Sequence, residues 1–176
     1  MKKKRVFWIG LLCPLILATL IGCGHNKHLE PQAELILQGA SPPTTNVSVN
    51  PPTSHLAYFI FRIQLTDQSL SMIPSDSWTI DSYEISYNLL SDPGHHLIAL
   101  PDPDTKLLKI QVTPGVNSRV PVTLVTDTYL RENAMGFLGT SDTASIKAQV
   151  VFRAHRNKDG YPQTMKARYI FNIGNY

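Results

Sequence analysis

The segments 145-SIKAQVVFR-153 and 165-MKARYIFNI-173 decide the fold. In the first, Ile146, Ala148, Val150 and Phe152 alternate with Lys147, Gln149 and Arg153. In the second, Met165, Ala167, Tyr169, Phe171 and Ile173 alternate with Lys166, Arg168 and Asn172. A period of two is the signature of a strand with one face on a core and one in water. Asn157-Lys158-Asp159-Gly160 lies between the two runs and reads as a hairpin turn. Parity then constrains the register. If Phe152 and Tyr169 both face inward, paired residue numbers on the buried face must sum to an odd value. A two- or four-residue loop ending at Gly160 satisfies this, and a simple three-residue loop does not.

Working outward, the same alternation recurs. Ala57, Phe59, Phe61, Ile63 and Leu65 form a half-buried strand, and Tyr83, Ile85, Tyr87 and Leu89 form another. Trp78 and Ile80 precede the latter on the opposite parity, so a bulge or bend is expected at Asp81-Ser82. Leu108, Ile110 and Val112, and then Val120, Val122 and Leu124, predict two further strands, and Leu97 to Leu100 a short one. Asp127 to Leu138 is the single helical candidate, with Leu130, Ala134 and Phe137 at helical spacing. Gly39 to Ser54 carries Pro42-Pro43 and Pro51-Pro52, which deny ladder donors, so it reads as a loop or edge strand outside the core. Many short strands with Pro/Gly turns predict an all-β fold, an antiparallel sandwich. By pattern it resembles the immunoglobulin-like and fibronectin-III-like sandwiches, without the cysteine pair of antibody domains.

The chain has 176 residues and a formal net charge of +3. Lys2, Lys3, Lys4 and Arg5 precede an apolar run from Val6 to Ile21, and no acid occurs before residue 23. Sixteen residues make about 24 Å of helix, short of the roughly 30 Å hydrocarbon core, so this is a secretory signal and not a span. Leu20-Ile21-Gly22-Cys23 resembles the lipobox of bacterial lipoproteins. The resemblance implies cleavage between Gly22 and Cys23 and transfer of diacylglycerol, followed by a further acyl chain such as palmitate, to Cys23. Gly24, in place of Asp, implies the outer membrane if the source has two membranes. The expected organisation is a signal peptide over 1–22, a lipidated cysteine and tether over 23–32, and a β-sandwich over 33–176. Removing the signal leaves 12 basic against 13 acidic residues. That near balance gives no reason to expect nucleic acid or anionic lipid as a partner. Cys13 lies in the signal and Cys23 is acylated, so the exported domain has neither thiol nor disulfide, and its stability rests on burial.

No chemistry announces itself. There is no G-x-S-x-G elbow, phosphate loop or haem-attachment motif, so no catalytic residue and no cofactor is expected. His25 and His28 fall in the tether, His95-His96 in a loop, and His55 and His155 stand alone. No metal site is expected, though loop acids Asp92, Asp102, Asp104, Asp142 and Asp159 have the oxygen chemistry that calcium prefers. The remaining candidates are aromatic: Tyr58, Trp78, Tyr129 and Tyr161, with Tyr176, fall outside the inward set Phe59, Phe61, Tyr83, Tyr87, Phe152, Tyr169 and Phe171. Exposed rings of this kind stack on sugars or anchor a protein partner. The reading is of a module held on the envelope membrane by its N-terminal lipid. It is non-catalytic, binding or structural, with a protein or polysaccharide partner. A carbohydrate-recognition module and an envelope enzyme or enzyme accessory are the alternatives.

Overall fold

The computed structural model describes residues 33–66 and 76–176. The lipobox, with Gly22 and Cys23, and the tether histidines lie outside the described residues. The fold is all-β. Strands β1 (Ala33–Ser41), β3 (His55–Leu65) and β6 (Ser118–Val125) make a three-stranded sheet in the order β1-β3-β6. Strands β2 (Thr44–Ser48), β4 (Trp78–Ser91), β5 (Asp104–Val112), β7 (Thr143–Arg156) and β8 (Pro162–Gly174) make a five-stranded sheet in the order β2-β8-β7-β4-β5. The latter curls as a half-barrel. Between β6 and β7 lie helix α1 (Asp127–Asn133) and a 3-10 turn, Met135–Phe137. The expected single helix to Leu138 thus breaks after Asn133, while Leu130, Ala134 and Phe137 are buried as their spacing required. Thr126 starts α1 by accepting the backbone N–H of Tyr129 on its hydroxyl at 3.1 Å.

The terminal hairpin has one of the two registers that parity allowed. Val150 faces Ala167 and Phe152 faces Met165, and the ladder ends with Arg156 N–H donating to Tyr161 carbonyl at 2.9 Å. The loop is therefore Asn157 to Gly160, with Gly160 at φ 70°. In β4 the register slips between Ile80 and Ser82 against both neighbours, and buried positions change parity there, from Trp78 and Ile80 to Tyr83 and Ile85. The bulge is where the phase change placed it.

Three expectations are corrected. Not every pair is antiparallel: β2 runs parallel to β8, Thr44 opposite Ile170 through Ser48 opposite Gly174. A hairpin forces opposite directions, but β2 meets a strand more than a hundred residues away and is under no such constraint. The proline-rich segment is an edge strand, yet not outside the core, because Val47 and Val49 are wholly buried. Leu97 to Leu100 forms no strand. Its backbone is held by the helix, through Ile98 N–H to Asn133 carbonyl at 3.0 Å and Tyr129 hydroxyl to Ala99 carbonyl at 2.7 Å.

Aromatic rings join the sheets. Phe59 and Phe61 of β3 meet Phe152 of β7 at centroid distances of 5.2 and 4.9 Å, and Phe59 meets Tyr169 of β8 at 6.2 Å. A second seam runs along the edge of β1. Leu35 N–H donates to Gln163 Oε1 at 3.2 Å, and Gln163 Nε2 donates to Leu35 carbonyl at 2.7 Å. One side-chain amide thus satisfies the donor and acceptor that an edge strand leaves open. The unit Pro31–Tyr176 is compact and contains this core whole.

Candidate functional site

A cleft of about 430 Å³ lies beneath α1, walled by Ile85 and Tyr87 of β4, the end of β6 at Thr123 to Val125, α1, and the Ala99 to Asp104 loop. Its shape depends on how the Asp92 to Asp104 connection is tied down. Asp92 caps its own turn, accepting the backbone N–H of His96 at 3.1 Å and of Leu97 at 3.0 Å. His96 is the pin. Its Nε2 lies 2.9 Å from Asp142 Oδ2 and its ring meets the edge of Phe137 at 5.0 Å. Gly94 and Gly136 leave room for it: a Cβ on Gly94 would sit 2.1 Å from His96 Nε2, and one on Gly136 would sit 2.9 Å from His96 carbonyl oxygen. Close approach, not a special φ, is what requires glycine at these two places.

Two tyrosines form the inner wall. Tyr87 hydroxyl donates to Leu124 carbonyl at 2.8 Å and Tyr129 hydroxyl to Ala99 carbonyl. Burial pushes the Tyr129 phenol up to about 12, helped by the nearby Asp92 charge, and burial raises Tyr87 further. Both stay neutral near pH 7, with their protons committed to backbone oxygens and their rings partly open to the cleft. The mouth carries exposed Asp102, Asp104 and Glu132, and Lys106 Nζ lies 3.0 Å from Asp104 Oδ2. Carboxylates accept hydrogen bonds from hydroxyl or amine groups, and a ring face beside them accepts an apolar or C–H surface. This arrangement can hold a ligand; its hydroxyls are locked as donors to carbonyls and are not paired with a base.

The aromatic candidates from the sequence do not come together. Tyr129 belongs to the cleft. Tyr58 lies on the outer face of β3, 40% exposed. Trp78 is wholly buried and has no face to offer a ligand, which corrects its reading as a stacking residue. Its ring meets Tyr161 edge-on at 6.5 Å, and Arg156 lies 5.9 Å from the Tyr161 centroid. Arg156 also holds Asp159 in the hairpin loop, Nε donating to Oδ1 at 2.9 Å. Tyr87, placed in the core by parity, is half-buried: it packs against the core and also lines the cleft, its hydroxyl bonded to Leu124 near the end of β6.

Loop acids are engaged locally: Asp92 with its turn, Asp142 with His96, Asp104 with Lys106 and Asp159 with Arg156. Among the described residues no three His, Cys, Asp or Glu side chains are grouped to hold a metal ion. His155, read as solitary, has its Nδ1 2.8 Å from Asp81 Oδ2, brought opposite by the bulge in β4. Comparison with protein-family models, curated proteins and solved structures finds no match for this chain.

Proposed function

We propose that the protein is a non-catalytic binding module of a bacterial cell envelope, anchored by lipid on Cys23, with its ligand seat in the cleft beneath α1. The observation that carries the reading is the cleft itself, in which part-exposed Tyr87 and Tyr129 stand beside Asp102, Asp104 and Glu132. Rings next to carboxylates favour a polyhydroxylated ligand, so among envelope partners a polysaccharide fits this seat better than a flat protein surface. We also read the sandwich as immunoglobulin-like. Its support is the strand order, a β1-β3-β6 sheet against a β8-β7-β4-β5 sheet, with the N-terminal segment contributing to both. A wholly buried Trp78 on β4 fits the same scheme. Aromatic contact between β3 and β7 stands where antibody domains carry a disulfide.

Two experiments test this. Mass spectrometry of the mature N-terminus should find a diacylglyceryl Cys23, and Cys23→Ser should leave an unlipidated precursor; an unmodified N-terminus elsewhere overturns the anchor. Titration with cell-wall glycan fragments, followed by amide NMR, should shift signals of Tyr129, Glu132 and Asp102. Shifts should weaken at least tenfold in affinity in Asp102→Asn/Glu132→Gln. Binding that leaves these residues unmoved overturns the seat.

A further inference from the structure

We infer that the outward face of the β7–β8 hairpin is a membrane-contact ridge, which holds the domain against the anionic phosphates of the lipid surface. The sequence gives no hint of it, because the charge outside the signal is nearly balanced. The register segregates that charge. Arg153 lies opposite Thr164, Val151 opposite Lys166, Gln149 opposite Arg168 and Lys147 opposite Ile170. These residues alternate with the buried Phe152, Val150, Ala148 and Tyr169, so Arg153, Lys166, Arg168 and Lys147 share the outer face. Directly paired side chains on one face lie about 5 Å apart and diagonal ones about 7–8 Å, so Lys166 and Arg168 sit successively on β8 with Arg153 and Lys147 diagonal to them on β7, one continuous row. Its length is about 20 Å, from the six residue steps between Lys147 and Arg153.

Most of this charge is uncompensated. Glu84 approaches Arg153 at 3.7 Å, while Lys147, Lys166 and Arg168 have no ion-pair partner among the described residues. A narrow row of cations on the outer face of the curled sheet suits an anionic surface. The chain's entry point argues for the membrane over a soluble polyanion. Leu35 is bonded through both backbone groups to Gln163, three residues before Lys166 on β8. The N-terminal segment therefore joins the fold beside one end of the cation row. From Cys23 to Ala33 the chain spans at most about 35 Å, so lipid on Cys23 keeps the row within reach of the headgroups. The orientation rests on the anchor reading; the affinity of the face for anionic lipid does not.

The test separates the two. The unit Pro31–Tyr176, which carries the whole core but no lipid site, is mixed with vesicles of phosphatidylcholine alone or with 30% phosphatidylglycerol, and binding is read by co-sedimentation. Binding should need the anionic lipid and be lost at high salt, because charges are screened within about 8–10 Å near physiological ionic strength. Each Lys or Arg near such a surface is worth about fivefold in partition, so Lys166→Gln/Arg168→Gln should weaken binding about 25-fold with unfolding midpoint unchanged. Equal binding to both vesicle types, or none to either, overturns the proposal. So does stronger, charge-dependent binding to soluble polyphosphate than to vesicles, which would mark the row as a site for a soluble polyanion. Loss of the anchor alone would instead appear as an unmodified N-terminus, with vesicle binding of this unit intact.

Discussion

Phe152→Ala is the substitution that most directly tests how this domain is held together. Phe152 is wholly buried on β7 and touches three rings, Phe59 at 5.2 Å, Phe61 at 4.9 Å and Tyr83 at 6.2 Å. Truncating a buried Phe costs about 3–5 kcal/mol. Ring pairs add about 0.5–1.5 kcal/mol each beyond burial, so the upper end, about 5 kcal/mol, applies here. A domain of this size has roughly 5–15 kcal/mol in all, and no disulfide shares the burden. With a urea dependence of about 2 kcal/mol per molar, the unfolding midpoint of Pro31–Tyr176 should fall by about 2.5 M. Phe152→Leu should cost about 1–2 kcal/mol, and a double-mutant cycle with Phe61→Ala should return a coupling of about 1 kcal/mol. A midpoint shift below about 0.5 M for Phe152→Ala would mean that the sheets are not joined through this ring, and the account of the core would fall.

Gly94→Ala should destabilise by about 2 kcal/mol or more, since its Cβ would meet His96 Nε2 at 2.1 Å, and Gly94→Ala/His96→Ala should recover part of that loss in thermal melts. Deleting Thr44 to Ser48 removes the buried Val47 and the parallel ladder to β8, so the product should fail to show a cooperative unfolding transition. Retained cooperativity would return that segment to the role of a dispensable loop. Tyr129 has its phenol raised to about 12 in the fold against 10 in a free chain, so its contribution is complete below pH 10 and lost as pH rises toward 12. Tyr129→Phe should make the fall over that interval shallower, Tyr87 still contributing to it, and cost about 1 kcal/mol at pH 7 through the bond to Ala99. Denaturation curves from pH 7 to 12 decide it.

Where one face of a strand is buried, the sequence carries the structure openly. Ile146 to Phe152 and Met165 to Ile173 could be paired to within a shift of two residues, since a slip by one would turn Phe152 and Tyr169 outward. The bulge at Asp81 was legible for the same reason. What alternation does not encode is which strand lies beside which. Nothing in 44-TTNVS-48 specifies β8 as its neighbour, and Val47 reads as an isolated valine between polar residues until the other side of the core is present. Leu97 to Leu100 misled because an apolar run of four is ambiguous between a strand and a loop stitched down by a helix.

The cleft and the cation row were hidden for different reasons. Tyr87 shares the parity of Tyr83 and Ile85 and packs against the same core, and only the loop and helix beyond β6 make its open side a wall of the cleft. Its partners, Tyr129 and Asp102, come from segments joined by carbonyl bonds that no pattern announces. The cation row is subtler, because each member was identified as outward-facing on its own strand. Alternation assigns a side chain to a face, but clustering is a property of register. Arg168 is a diagonal neighbour of Lys147, and Lys166 of Arg153, only because the four-residue loop pairs 150 with 167. A two-residue loop ending at Gly160 would satisfy the same parity and move Arg153 from Thr164 to Lys166, crowding like charges directly opposite, which destabilises an antiparallel pair. The observed loop sets Arg153 against Thr164, Gln149 against Arg168 and Lys147 against Ile170, so no two of these cations face each other directly. The register thus keeps the charges on one face, Lys166 and Arg168 successive on β8 with Arg153 and Lys147 diagonal to them, an arrangement in which they repel one another less than directly opposed pairs would and remain free to meet an anionic surface.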